Sequence, residues 1–119
     1  MIRKPEQMTS DVRQNMRGGT GDITITHYFK KDEFTANTRL CARMTIPPGA
    51  SVGSHQHLEE DEVYIVLSGK GELDDGTTTS AISAGDAILT GKGGSHAVKN
   101  TGDEPLEIVA VIMCYGEKQ

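Results

Sequence analysis

The stretch GASVGSHQHLEEDEVYIVLSG, residues 49–69, decides the fold. His55 and His57 stand two apart, so on a strand both imidazoles point to one face and Gln56 turns away. Five residues further on, Glu62 opens a β-rich run. Two imidazoles and a carboxylate brought to one point are the beginning of a metal site. The acidic run Glu59-Glu60-Asp61-Glu62 has to be divided. Only Glu62 has the register of the strand that follows, and Asp61, one residue earlier, faces the other way. Glu59 and Glu60 are expected in a solvated loop, where they raise the local cation concentration.

Working outward, the chain alternates in short pieces. Ile23, Ile25, His27 and Phe29 share one face of a strand, and Leu40, Ala42, Met44 and Ile46 oppose Arg39, Cys41, Arg43 and Thr45 on the next. Pro47-Pro48-Gly49 ends that strand. Downstream, Gly69-Lys70-Gly71 and Asp74-Asp75-Gly76 punctuate a hairpin. Strands follow at Thr77–Ser83, Ala87–Thr90, Ser95–Asn100 (with His96) and Leu106–Tyr115. About nine short strands, spaced roughly 8–12 residues apart, predict an all-β sandwich or barrel. No helix is predicted. The last strand is apolar on both faces. Leu106, Ile108, Ala110 and Ile112 meet the core, and Val109, Val111 and Met113 need a cover, for which a homodimer is expected. Residues 1–22 read as an irregular N-terminal arm lying over the domain or a neighbouring subunit, 23–115 as a single domain and 116–119 as a tail.

A chain of 119 residues fits one domain with one core. The formal net charge is −5, and no stripe of Lys and Arg offers a nucleic-acid surface. No apolar run has the roughly 18 residues of a membrane span, and MIRKPEQMTSDVRQNM has no apolar leader segment. Cys41 and Cys114 read as buried thiols in a reducing compartment. The expectation is a cytoplasmic protein with neither membrane nor nucleic acid as partner.

The chemistry-bearing set is His55, His57, Glu62 and His96. In a jelly roll, strands distant in sequence become neighbours, so His96 can join the others. Imidazoles with a carboxylate suit one divalent transition metal ion (Mn, Fe, Co, Ni, Cu or Zn) rather than Ca or Mg. Four protein ligands on an octahedral ion leave two positions for water, dioxygen or a bidentate small molecule.

Two motifs carry a resemblance. Gly49, His55, His57, Glu62 and Gly69 fill every place of the first cupin motif; Gly85, Gly93, His96 and Asn100 fill those of the second. The departure is Gly91, where the family usually has proline. Over roughly residues 39–114 the chain resembles a small single-domain cupin of the RmlC-like superfamily, type 2. The resemblance implies a double-stranded β-helix, or jelly-roll barrel, of six or seven strands per face with the metal in one mouth. It implies His55, His57, Glu62 and His96 as ligands and Asn100 as a turn-stabilising residue. The pattern, including the Met16-Arg17-Gly18-Gly19 turn, is also similar to stand-alone cupins labelled oxalate decarboxylase. Oxalate-degrading cupins usually carry an arginine three residues before the first ligand histidine, and here that place is Val52.

Cupins span many activities, so the expectation stays coarse. It is a metalloenzyme acting on a small oxygenated molecule, a sugar acid or carboxylate, by isomerase, decarboxylase or dioxygenase chemistry. The alternative is a non-catalytic metal cupin that binds a small molecule. A structural dimer module with a vestigial site fits less well, because all four ligand positions are intact. Met44, Val52, Tyr64, Val66, Val98 and Ile112 share the ligand face. Tyr64, with a polar tip two residues after Glu62, is the candidate catalytic residue. His27 is a further acid–base candidate. Arg39 and Arg43 are expected to face away.

Overall fold

Alternating short strands have to bury one face each, and they do so here by closing two antiparallel sheets on one another. The computed structural model describes residues 1–118, so Gln119 of the expected tail lies outside the described residues. Ten strands occur in the order β1 (Thr9–Gln14), β2 (Asp22–Phe29), β3 (Thr38–Ile46), β4 (Ser51–Gln56), β5 (Glu60–Ser68), β6 (Lys70–Asp74), β7 (Thr79–Ser83), β8 (Ala87–Thr90), β9 (Ser95–Asn100) and β10 (Leu106–Cys114). The larger sheet runs β1-β2-β3-β10-β5-β8 and the smaller β4-β9-β6-β7. This is the jelly roll expected, with six strands on one face but only four on the other. The helical content among the described residues is three 3-10 turns of three residues each. No described helix is long and apolar enough to cross a membrane.

Sequence pattern accounts for the strand order. β10, apolar on both faces, lies inside the larger sheet between β3 and β5. Its inward residues Leu106, Ile108, Ala110 and Ile112 are buried, together with Ile23 and Ile25 of β2 and Ala42, Met44 and Ile46 of β3. From the smaller sheet, Val52, Leu73, Ile82 and Val98 meet them. The short, largely polar β7 takes an edge.

Residues 9–14 are not an irregular arm. They form β1, paired in register with β2 from Thr9↔His27 to Gln14↔Asp22. Few apolar residues announce this strand, because it is an edge strand with both faces largely open to water. The turn that follows it is built against β4. A Cβ on Gly19 would overlap the Ser51 carbonyl, and one on Gly53 would overlap the Arg17 carbonyl. Only glycine lets the two backbones come this close. The Ser51 N–H donates to the Thr20 carbonyl (2.9 Å) and the Thr20 N–H to Ser51 Oγ (3.0 Å).

Two bulges matter for function. On β4, Val52 pairs with Val98, but the next pairs with β9 are His55↔His96 and Gln56↔Ser95. One extra residue, at Gly53–Ser54, lets Val52 and His55 face inward although they are three apart. On β3, Leu40 pairs with Ile112 and Thr38 with Met113, leaving Arg39 as the extra residue.

Candidate metal centre

The four expected residues meet in one place. The β4–β9 pairing sets His55 opposite His96, and His57 follows β4 with its backbone N–H bonded to the Gly94 carbonyl (2.9 Å). Glu62 comes from β5 of the facing sheet. Their ligand atoms all lie within 4.8 Å of one another. His57 Nε2 is 2.9 Å from His96 Nε2 and 2.8 Å from Glu62 Oε1, and His96 Nε2 is 3.0 Å from His55 Nε2 and 2.9 Å from Glu62 Oε1. His57, Glu62 and His96 are buried and His55 is partly exposed at the mouth.

The outer nitrogens decide what this cluster can hold. His55 Nδ1 lies 2.7 Å from the Gly53 carbonyl, which can only accept, so Nδ1 carries the proton. His57 Nδ1 lies 2.8 Å from Glu60 Oε1, again an acceptor. His96 Nδ1 lies 3.0 Å from Thr90 Oγ1. With their protons held outward, neutral His55 and His57 present Nε2 lone pairs to the centre. Burial lowers the His55 pKa, which favours its neutral form. Glu62 Oε1 is buried without a hydrogen-bond donor. Acceptors converging with no donor between them repel unless a cation sits among them. A nitrogen-rich set with one carboxylate fits a divalent transition metal, and outward-bonded Nδ1 atoms are how ligand histidines are oriented.

The acidic run divides differently from the expectation at one residue. Glu59 is exposed and Asp61 faces away, where its Oδ1 accepts from the Tyr115 hydroxyl (2.5 Å). Glu60, expected in a solvated loop, opens β5 on the Glu62 face and is largely covered. It accepts from His57 and from Arg39 Nε (2.9 Å) and Nη2 (2.8 Å). The Arg39 guanidinium, with help from His57, holds the Glu60 carboxyl down to about 2. Arg39, expected to face away, reaches the site because it is the bulged residue of β3. Strict alternation hid it, and the spacing of Glu60 three residues after His57 was the one available signal. Arg43 stays on the outer face beside Glu107 (3.5 Å).

Tyr64 is fully buried and stacked on His96, centroids 4.7 Å apart at 15°. Burial, then the neighbouring Glu62 charge, raises its pKa, so the phenol keeps its proton. Met44, Tyr64 and Ile112 line a cavity of about 170 Å³ with His55, His57 and Glu62, whereas Val52, Val66 and Val98 are core outside it. His27 also lines the cavity, its Nε2 2.8 Å from Asp11 Oδ1 of β1. So do Arg13, Arg17 and Arg39, of which only Arg39 had been considered from sequence. Gly91 has a local reason: a Cβ there would overlap Asp61 Oδ1.

Comparison with known proteins agrees with this geometry. The Cupin domain family model matches residues 42–112. The chain is 41% identical over 113 residues, 95% of its length and 93% of the relative's, to a Thermotoga maritima protein named "Oxalate-binding protein". It superposes with TM-score 0.91 and 40% identity on a Thermotoga maritima crystal structure described as a predicted oxalate decarboxylase, covering 96% of this chain and 99% of that one. KdgF from Halomonas sp. shares the fold, at TM-score 0.67 and 18% identity over 87% of each chain.

Proposed function

The chain belongs to the cupin family, and on that premise we propose that it holds one divalent transition metal ion on His55, His57, Glu62 and His96 and binds a small carboxylate beside it. The observation that carries this reading is the convergence of imidazole lone pairs and an undonated carboxylate oxygen on one point, with the Nδ1 protons held outward. Such an ion, when bound, supplies Lewis-acid character toward carboxylate or hydroxy-carbonyl oxygens. The protein's own part is to fix the ligands, exclude water with Met44 and Ile112, and offer the protonated Tyr64 phenol as a donor. The cavity, about 170 Å³, is well below the roughly 300–1,000 Å³ of drug-sized pockets and favours a ligand of few atoms. The name of the Thermotoga relative makes oxalate the first ligand to test.

A second reading, turnover of that ligand by decarboxylase, isomerase or dioxygenase chemistry, is favoured by Tyr64 and by the His27–Asp11 pair at the same cavity. Metal analysis of protein purified without chelators should find about one ion per chain, and calorimetry should then detect oxalate binding. A folded protein that stays metal-free in the presence of these ions would sink the reading. Release of carbon dioxide or formate that stops in Tyr64→Phe would select turnover.

The outer face of β10, β5 and β8 supports a homodimer. Val111, Val63 and Leu89 stand in one cross-strand row, and Val109 and Ile65 in the next. Light scattering should give twice the chain mass. A cytoplasmic location agrees with Cys41 and Cys114 as free thiols.

A further inference from the structure

We propose that Arg17, on the N-terminal turn clamped to β4, is the anion anchor of this pocket and makes it select dicarboxylates over monocarboxylates. The inference rests on the small-carboxylate reading above. Three arginines line the cavity, and two are already paired. Arg13 Nε lies 2.6 Å from Asp11 Oδ2, and Arg39 grips Glu60 with two hydrogen bonds. Among the described residues, Arg17 alone of the three has no ion pair.

The turn is built to hold Arg17 where it is. Arg17 has a left-handed backbone (φ 55, ψ 30), which is costly for a residue with a Cβ. The Gly19–Ser51 and Gly53–Arg17 approaches lock the turn to β4, and the Gly53 carbonyl also accepts a hydrogen bond from His55 Nδ1. One backbone contact therefore sets both a metal ligand and the arginine.

Charge then chooses the ligand. A divalent ion held by the Glu62 carboxylate would leave one positive charge at the centre. The Arg13–Asp11 and Arg39–Glu60 pairs cancel, and Arg17 adds a second positive charge at the same cavity. A dianion with two carboxylates on a short backbone satisfies both; a monocarboxylate leaves the guanidinium unanswered. Guanidinium is suited to gripping a carboxylate through two N–H groups.

The test compares wild type, Arg17→Gln, Arg17→Lys and Gly19→Ala, each metal-loaded. Titration calorimetry is run with oxalate and with formate, alongside metal content. Arg17→Gln is expected to lose tenfold or more in oxalate affinity while formate affinity and metal content change less than twofold. Arg17→Lys should recover part of the loss, and Gly19→Ala, which strains the shared clamp without removing charge, should lower oxalate affinity and metal content together. Unchanged oxalate affinity in Arg17→Gln overturns the assignment alone. Equal losses for oxalate and formate in that variant, or loss of its metal, would give Arg17 a structural role and overturn it too. Wild-type protein that takes up metal but binds neither acid overturns this inference together with the carboxylate reading.

Discussion

The two ends of β9 bury polar side chains in opposite ways. At one end Asn100 is satisfied completely. Its Nδ2 donates to the Ile46 and Glu104 carbonyls, both at 2.8 Å, and its Oδ1 accepts from the Gly102 N–H at 2.8 Å. At the other end, about 13 Å away for four residues of strand, His96 sits among acceptors that no protein donor answers. Both ends are equally dry: Asn100 is 2% exposed and His96 1%. Burial alone therefore does not mark a site. What differs is whether the polar atoms close on one another or converge with no protein donor between them.

The largest expected break comes at the open end. His57→Ala should reduce metal affinity by more than about 100-fold, since even removal of a residue supporting a ligand costs about 10–100-fold. Metal content after dialysis reads this, with His27→Ala as the control that keeps its ion. Equal losses would mean that the ligand set is wrongly drawn.

At the satisfied end the effect should be on stability and not on metal. Asn100→Ala removes three hydrogen bonds and strands buried carbonyls, costing about 3 kcal/mol, or roughly 10 °C in Tm. Metal stoichiometry should hold. If calorimetry shows loss of metal at unchanged Tm, the contrast between the ends fails.

Glu60→Ala sharpens the boundary of the open end. It leaves every ligand in place but frees His57 Nδ1, so metal affinity should fall about 10–100-fold with little change in ligand number by X-ray absorption. An affinity equal to wild type would make the Arg39–Glu60–His57 chain a surface ion pair only.

The smallest effect lies at the periphery. The Arg3 guanidinium and the Lys30 N–H hold the Glu33 carboxyl down to about 2. A folded pKa below the ordinary 4.5 means the contact contributes above that pH and is lost as pH falls from 4.5 through about 2. The pair is exposed, so salt should weaken it. The Glu33 carboxyl resonance should titrate near 2 in low salt; a midpoint near 4.5 would show that Arg3 is not engaged.

Much of this is legible in the sequence. Period-two alternation, with the turn residues between runs, marks nine of the ten strands. The spacing of His55, His57 and Glu62, with His96 joining from a distant strand, named the group that the fold brings together. β1 was not legible, because an edge strand with both faces wet has no pattern to read. Arg39, Glu60 and Arg17 were missed for related reasons. A bulge shifts register by one residue and redirects the side chain. A backbone clamp between glycines 34 positions apart, Gly19 and Gly53, leaves no local signal. The sequence by itself determined which atoms could bind a metal and on which strands they ride, since those depend on residue type and local period. Only the tertiary structure decided which charges surround them, because bulges, edge pairing and backbone contacts are settled between strands and not within them.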